Sequence, residues 1–178
     1  MGLILLRHTT PDVAPGTCYG RTDLDVAVQF HAEAAEAAAA LPKFQRIVTS
    51  PLIRCRKLAA FIAEMTGLDI CEEPRVQEMN FGDWEGCLWS DIPRPQLDAW
   101  AADFLNARPH GGESVAIFRV RVGEALIDWG MGGEQTLIVT HAGVIRAALS
   151  SGDAAEDFNI AIDFGGFVTI PSPKGAAP

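Results

Sequence analysis

Short apolar runs alternate with longer amphipathic segments along this chain. Leu3–Leu6 is continuously apolar, as expected of a strand that is buried on both faces of a sheet. Arg46–Thr49 (RIVT) and Thr136–Thr140 (TLIVT) have the same character, and Gly166–Ile170 (GFVTI) is predicted as the last strand. The pattern therefore indicates a sheet whose strands are separated by helices.

The first two helices carry clear start and stop signals. Asp25–Leu41 is rich in alanine, and Pro42 closes it. Ser50 and Pro51 are predicted as the N-cap and the first helical residue of the next helix. Gly67 is expected to terminate that helix in a left-handed conformation.

The second half of the chain repeats this alternation. Gln96–Ala107 and Ser114–Trp129 are predicted as amphipathic helices, and Gly143–Ser150 as a short helix after the third buried strand. Glu72–Pro95 is rich in Pro, Gly and Trp and is predicted as a long functional loop.

This order of elements predicts a three-layer α/β/α sandwich with a mostly parallel central sheet. Residues 1–171 are expected to form one domain, with 172–178 as a frayed tail. In such a sheet the active site is expected at the carboxyl ends of the strands.

Composition narrows the classes of function. The chain has 178 residues, 48% hydrophobic and 21% charged, which is typical of a soluble globular protein that buries roughly 70% of its unfolded surface. A net charge of -9 argues against nucleic acid or an anionic membrane as a partner, because both favour a basic surface. An anionic substrate would need a local cluster of arginines.

The four cysteines, at positions 18, 55, 71 and 87, form no CxxC pair and no zinc-ligand pattern. They are predicted to be reduced thiols packed as small apolar groups. The amino-terminal apolar run is too short for a secretory signal, and no stretch approaches the roughly 20 apolar residues of a membrane span. The sequence thus predicts a cytoplasmic protein without a bound metal.

Four basic residues stand at the predicted strand ends. Arg7 and His8 end the first strand, His141 follows the third buried strand, and Arg54 lies in the first turn of the helix after the second. Parallel strands bring such residues to one edge of the sheet. One basic residue at a strand end is commonly just solvated, but four together predict an anion site.

The other two histidines and the tryptophans are predicted to have structural positions and not catalytic ones. His31 is predicted on a helix surface and His110 in a loop. The tryptophans are expected to pack in the core, although Trp84 could line the mouth of a pocket.

Five motifs give the chain a recognisable family pattern. They are RHTTP near the amino terminus, SPLIRC at 50–55, EMNFGDWEG at 78–86, PHGGES at 109–114 and VTHAGVIR at 139–146. In type and order they resemble the motifs of the histidine phosphatase superfamily, in its phosphoglycerate mutase-like branch. The resemblance spans nearly the whole chain and implies a phosphoglycerate mutase-like fold.

The resemblance also implies catalytic roles. His8 would accept the phosphoryl group, Glu78 would protonate the leaving oxygen, and Arg7, Arg54 and His141 would hold the phosphate oxygens. These residue types suit that chemistry, because guanidinium groups match phosphate oxygens and a neutral imidazole is nucleophilic. No metal or other cofactor is then required. We also expect free N–H groups at the start of the Ser50 helix to face the anion.

Two features depart from the family pattern. Thr9 stands where the family usually has Gly, and the Asn that often helps to bind phosphate is missing. Thr9, Thr10 or Thr17 could replace that Asn.

The segment GTCYGRTDLDVA, residues 16–27, resembles the same region of α-ribazole phosphatases of cobalamin synthesis. By this resemblance Tyr19 and Gly20 would border the substrate. The implied activity is hydrolysis of α-ribazole 5'-phosphate or a similar small phosphorylated metabolite.

Other classes of function stay open at this stage. A phosphoglycerate mutase-like phosphotransferase would return the phosphoryl group to a second hydroxyl, and a broad-specificity sugar phosphatase would share the same chemistry. A non-catalytic module that binds phosphorylated ligands would not need all five of these residues, so their presence favours an enzyme.

Overall fold

Five strands form the central sheet of the computed structural model, which describes residues 2–171. In chain order they are β1 (Gly2–Arg7), β2 (Arg46–Thr49), β3 (Ile70–Glu72), β4 (Thr136–Thr140) and β5 (Phe167–Pro171). Their spatial order is β3-β2-β4-β1-β5, and only β5 runs antiparallel to its neighbour. The mostly parallel sheet is confirmed, whereas the predicted tail at 172–178 lies outside the described residues.

Helices cover both faces of this sheet. Residues 2–171 form α1 (Phe30–Ala40), α2 (Ile53–Thr66), α3 (Arg94–Ala102), α4 (Val115–Gly130) and α5 (Ala142–Leu149). Alternate side chains of β1 point to opposite faces, so Leu3 and Leu5 pack with α4 and α5, while Ile4 and Leu6 pack with α1 and α2. The three-layer α/β/α prediction is therefore confirmed.

Helix α1 begins at Phe30, five residues later than predicted. The backbone of its expected first turn pairs with the segment after β1: Asp12 N donates to Asp25 O at 2.8 Å, and Ala27 N donates to Thr10 O at 2.9 Å. These long-range bonds hold residues 25–27 extended.

Helix α2 also begins later than expected. Leu52 is its N-cap, because Ser50 N still donates to Val139 O of β4 at 3.0 Å. The assignment of Ser50 and Pro51 as the helix start is therefore wrong. Gly67 ends the helix at φ 70°, as predicted.

The other boundaries differ in smaller ways. Helix α3 spans Arg94–Ala102 instead of Gln96–Ala107, since Asp103 leaves the helical conformation at φ -137°. Ser114 caps α4 by accepting from Ile117 N at 3.2 Å, which confirms the predicted start.

The region predicted as a long loop contains more order than expected. Three short 3₁₀ helices, at Pro74–Val76, Gly82–Trp84 and Trp89–Asp91, follow the unpredicted edge strand β3. All three residues of β3 are exposed, so its sequence lacks the apolar run that marks the buried strands.

The cysteines have two different environments. Cys18 and Cys55 are buried, whereas Cys71 and Cys87 are exposed, and all four are free thiols. The prediction that they pack as apolar groups is wrong for the exposed pair. Within residues 2–171, no helix is both long and apolar enough to cross a membrane.

Candidate active site

The register between β1 and β4 brings two histidines together. Arg7 pairs with Thr140, and His8 N donates to Thr140 O at 3.0 Å. The next residues, His8 and His141, therefore lie side by side, with ring centroids 5.2 Å apart. Both rings are buried.

The hydrogen bonding of His8 defines its tautomer. His8 Nδ1 lies 2.7 Å from Thr9 O, which can only accept, so Nδ1 carries the proton and Nε2 keeps its lone pair. Burial lowers the pKa of His8 well below its ordinary value, and the Arg54 guanidinium lowers it further. His8 is thus held as a neutral imidazole with a free nucleophilic nitrogen.

Arg54 is the largest fully buried side chain of this region. Its Nη1 donates to Thr22 O at 2.8 Å and its Nη2 to Gly20 O at 2.7 Å. Nε is buried and has no hydrogen-bond partner within residues 2–171. Because both partners are neutral carbonyls, the cation is suited to a bound anion, and three of the five guanidinium N–H groups remain for it.

Arg7 lines the cavity and is the second arginine near His8. Its Nη1 donates to Ile162 O at 2.5 Å, and its guanidinium carbon lies 3.8 Å from the centroid of the Phe164 ring. Arg7 Nε is also buried without a partner in the described part of the chain. Two guanidinium groups with spare donors therefore flank His8.

His141 is held at the start of α5, where it is the N-cap residue. Its Nε2 lies 2.8 Å from Ser50 Oγ, which connects β2 to β4 at their carboxyl ends. Burial lowers the pKa of His141 well below its usual value, with Arg54 as the next cause. The ring is therefore neutral and can donate or accept one hydrogen bond on each nitrogen according to its tautomer.

A cavity of about 620 Å³ opens above these residues. Its wall includes Arg7, His8 and Arg146, and much of the remaining wall is aromatic. The aromatic lining residues are Tyr19, Phe81, Trp89, Trp100, Phe104, Phe118 and Phe158. Arg54 and His141 do not line the cavity but lie fully buried, and His141 adjoins the His8 ring, so the cavity wall combines basic, acidic and aromatic side chains.

Glu78 also lines this cavity. Its Oε2 accepts from Gly143 N in the first turn of α5 at 3.0 Å, and its Oε1 accepts from Met79 N at 2.9 Å. Each oxygen keeps a second lone-pair direction. An ideal Cβ on Gly143 would lie 2.1 Å from Glu78 Oε1, so the absent side chain of Gly143 makes room for this carboxyl group.

Tyr19 and Gly20 are used differently. Tyr19 lines the cavity and lies under the Arg54 guanidinium at 5.3 Å, and burial raises its pKa. Gly20 is buried and acts through its carbonyl oxygen, which accepts from Arg54. A Cβ on Gly20 would lie 1.8 Å from Met79 O, so only glycine allows this close approach.

The start of α2 does not offer the free N–H groups that the sequence predicts. Ile53 N donates to Asp23 Oδ1 at 2.7 Å, and Leu52 N donates to Ser50 Oγ at 3.4 Å. The chain's own side chains thus occupy donors that were expected to face a substrate.

The three threonines that could replace the missing Asn have different environments in the structure. Thr10 is hydrogen-bonded to Glu33, since its N and Oγ1 each donate to that carboxylate at 2.8 Å. Thr17 lines the cavity. Thr9 is fully buried, and its Oγ1 has no partner among residues 2–171.

The residues outside the site only partly match expectation. His31 is exposed on α1, as predicted. His110 is in a loop but fully buried, where its ring lies 4.9 Å from that of Trp84. Trp84 packs inside and donates to Gln96 at 2.7 Å, while Trp89 and Trp100 line the cavity instead.

Sequence reasoning missed the aromatic wall and Arg146. The aromatic residues are scattered over 140 positions of the chain, so no local pattern groups them. Arg146 could have been identified from the sequence, because it is the last residue of the VTHAGVIR motif. On α5 it lies one turn beyond Ala142, which lines the same cavity. Its Nε donates to Ile160 O at 2.9 Å.

Within residues 2–171, no group of three His, Cys, Asp or Glu side chains is arranged to hold a metal ion.

Comparison with known proteins agrees with this geometry. Residues 3–159 match the family described as histidine phosphatase superfamily, branch 1. The chain is 31% identical over 144 residues to adenosylcobalamin/alpha-ribazole phosphatase of Salmonella typhimurium, a match that covers 75% of this chain and 70% of the relative. It is 30% identical over 156 residues to a metal-independent phosphoserine phosphatase of Arabidopsis thaliana, covering 82% of this chain and 66% of that one.

Solved structures share the whole fold. A crystal structure of phosphoglycerate mutase from Thermus thermophilus superposes with a TM-score of 0.78 at 30% identity, covering 98% of this chain and 95% of the other. A mycobacterial glucosyl-3-phosphoglycerate phosphatase gives 0.78 at 27% identity, with coverage of 94% and 88%.

Proposed function

Because the chain belongs to the histidine phosphatase superfamily, we propose that it hydrolyses a small phosphomonoester through a phosphohistidine on His8. The observation that carries this proposal is the neutral His8 ring, whose Nδ1–H donates to Thr9 O and whose Nε2 is free in the cavity wall. His141 lies beside the His8 ring, the Arg54 and Arg7 charges act on it, and these three side chains suit the role of phosphate ligands.

In the first step, His8 Nε2 attacks phosphorus and the P–O bond to the substrate alcohol breaks. Protonated Glu78 gives its proton to the departing oxygen. Arg7 and Arg54 neutralise the charge on the phosphoryl oxygens, which is the main catalytic requirement of such a transfer.

In the second step, water attacks the phosphohistidine. The Glu78 carboxylate, now ionised, takes a proton from that water as the P–N bond breaks and its electron pair returns to Nε2. Inorganic phosphate leaves, and the enzyme regains its starting protonation. Glu78 thus serves as acid and then as base at one position.

For the substrate we propose α-ribazole 5'-phosphate, in cobalamin biosynthesis. The name of the Salmonella relative supports this choice, and so does the aromatic wall formed by residues such as Phe81, Trp89 and Trp100. A flat heterocycle can stack on these rings, and a cavity of about 620 Å³ is large enough for a nucleoside.

One observation favours a second candidate, an acidic phosphomonoester such as phosphoserine or 3-phosphoglycerate. Arg146 lines the same cavity as Arg7, so its guanidinium group could bind a substrate carboxylate. Relatives named phosphoserine phosphatase and phosphoglycerate mutase fit this alternative.

A phosphate-release assay separates these candidates. We expect the highest kcat/KM with α-ribazole 5'-phosphate, compared with phosphoserine, 3-phosphoglycerate and glucose 6-phosphate. Trp89→Ala should lower it about 10-fold with the ribazole ester, because one stacking partner is lost, and leave phosphoserine unaffected. If acidic esters are the substrates, Arg146→Met should lower kcat/KM with phosphoserine and leave the ribazole ester unaffected.

The outcomes are distinct. Equal rates over the panel would replace the ribazole assignment with a broad-specificity phosphatase. Isomerisation of 3-phosphoglycerate without release of phosphate would establish a mutase.

The covalent step has its own test. Enzyme mixed with a ³²P-labelled substrate and quenched in alkaline detergent should retain label, because the P–N bond of phosphohistidine survives alkali but not acid. His8→Ala enzyme should retain none. Label in both proteins would contradict the proposed nucleophile.

We place the protein in the cytoplasm. Cys71 and Cys87 are exposed free thiols, which is typical of a reducing compartment. The phosphatase activity should be recovered in the cytoplasmic fraction of the source cells, and recovery in an exported fraction would contradict the assignment.

A further inference from the structure

Arg121 on α4 binds the backbone that leads to Glu78. Its Nη1 donates to Arg75 O at 2.7 Å and to Gln77 O at 2.9 Å, and its Nη2 donates to Glu78 O at 3.0 Å. Three carbonyl groups within four residues are therefore fixed by one guanidinium group. The last of them belongs to Glu78 itself.

Glu113 fixes Arg121 in turn. Its Oε1 accepts from Arg121 Nε at 2.7 Å and its Oε2 accepts from Nη2 at 2.8 Å. The pair is largely shielded from solvent, with side-chain exposures of 15% for Arg121 and 8% for Glu113. All five N–H donors of the guanidinium are thus used, which only arginine can achieve.

The motif that contains Glu113 is joined to the Glu78 segment by its backbone as well. Glu113 N donates to Asn80 O at 2.9 Å, and Asn80 N donates to Glu113 Oε2 at 3.4 Å. Phe118 lies 4.8 Å below the Arg121 guanidinium. The ion pair therefore contacts the chain on both sides of Glu78.

We propose that Arg121, oriented by Glu113, is a positioning residue for the acid step: it fixes the main chain so that the Glu78 carboxyl group reaches the leaving oxygen. This inference rests on the proposed role of Glu78. The proposal also gives the PHGGES motif a function, because Glu113 of this motif holds Arg121. A displacement of about 1 Å at a catalytic group can lower a rate about 10²-fold.

The leaving group of the substrate separates a structural role of Arg121 from a positioning role. A variant that only weakens the fold should slow all esters alike, whereas one that misplaces the acid should slow esters with basic leaving groups most. Benzyl phosphate has a basic leaving alcohol that needs protonation, whereas p-nitrophenyl phosphate has a leaving group that needs little. Loss of acid positioning therefore slows the first ester far more than the second. Burial is the main cause of the lowered pKa of His141, and the Arg121 charge adds to it only after those of Arg54 and His8. A change at a phosphate ligand would, moreover, affect both esters alike.

The experiment measures kcat/KM of both esters with Arg121→Met, which keeps the apolar stem over Phe118. Arg119→Met is the matched control, because Arg119 is on the same helix but binds Gly152 O and Asp153. We expect Arg121→Met to lose about 10²-fold with benzyl phosphate and much less with p-nitrophenyl phosphate. Arg119→Met should change both esters by the same small factor.

Glu78→Gln and the double variant complete the test. If Arg121 acts through Glu78, the double variant should be no slower with benzyl phosphate than Glu78→Gln alone. Arg121→Lys and Glu113→Gln, which retain part of the network, should show the same preference for the nitrophenyl ester if Arg121→Met does not fold.

Two results would overturn the inference in different ways. If Glu78→Gln discriminates between the esters but the folded Arg121 and Glu113 variants do not, Arg121 only supports the fold and the role of Glu78 stands. If Glu78→Gln itself does not discriminate, the acid assignment fails, and the positioning role fails with it.

Discussion

His8 and His141 lie with ring centroids 5.2 Å apart at an interplanar angle of 62°, buried together beside Arg54. Burial, followed by the Arg54 charge, lowers the pKa of both rings well below the ordinary value. The unfolded chain therefore binds protons near pH 6.5, where the folded protein does not.

Stability should consequently fall as the pH decreases below about 6.5. Each histidine that is protonated only in the unfolded chain contributes a slope of up to about 1.4 kcal/mol per pH unit. Urea unfolding between pH 7 and pH 5 should show this slope, and His141→Gln should reduce it. An unaltered slope in His141→Gln would contradict the buried neutral state.

Replacement of His8 by Ala should abolish turnover with every substrate. The loss should be about 10⁴-fold or more, because no group is left to accept phosphorus. Glu78→Gln should lose roughly 10²- to 10⁴-fold with benzyl phosphate but far less with p-nitrophenyl phosphate. Single-turnover kinetics should be used, so that phosphoryl transfer is the step observed. A His8 variant that discriminates between leaving groups would argue against its role as nucleophile.

Inorganic phosphate and vanadate should bind beside Arg54 and stabilise the fold. Arg54→Lys should weaken phosphate binding about 10-fold or more, since lysine cannot hold Gly20 O and Thr22 O and still present a fork to the anion. Calorimetric titration measures this. Arg56→Met is the control, because Arg56 lies on the same helix as Arg54 but is exposed and pairs with Glu72 of β3. Equal weakening in both variants would indicate general charge attraction instead of a site.

Activity should survive exhaustive treatment with EDTA. The proposed transition state is neutralised by Arg7 and Arg54, so the mechanism has no step that requires a divalent cation. Phosphate release after chelation and dialysis provides the measurement. Loss of activity that magnesium or zinc restores would replace this mechanism with a metal-assisted one.

Gly143→Ala should reduce activity with little effect on stability. The added methyl group would meet Glu78 Oε1 at 2.1 Å, and that flexible carboxyl group can move away without disturbing the core. We expect a loss of about 10²-fold with benzyl phosphate and a smaller loss with p-nitrophenyl phosphate. Gly123→Ala on α4, where nothing lies within 4 Å of the new Cβ, should keep full activity and stabilise the protein by about 0.5–1 kcal/mol. Full activity in both variants would show that Glu78 need not occupy its observed position.

Local sequence patterns were enough to predict the buried strands and the residues at their ends. The apolar run Leu3–Leu6 and the strand Thr136–Thr140 were predictable because a strand covered on both faces has no polar position until it leaves the sheet. Arg7, His8 and His141 then follow from chain order, since parallel strands end at one edge. Glu78 is singled out as a candidate only by its motif, because no local pattern distinguishes it from the other acidic residues.

The way in which these residues are held depends on contacts between segments that are distant in the sequence. The late starts of α1 and α2 depend on hydrogen bonds such as Ala27 N to Thr10 O and Ser50 N to Val139 O, which join distant segments and leave no local trace. The exposed edge strand β3 and the burial of His110 likewise depend on what packs beside them. The network from Glu113 through Arg121 to Glu78 arises in the same way. Local sequence encodes which face of an element is buried, whereas the position of a carboxyl group within an ångström is set by contacts between elements that the chain brings together only on folding.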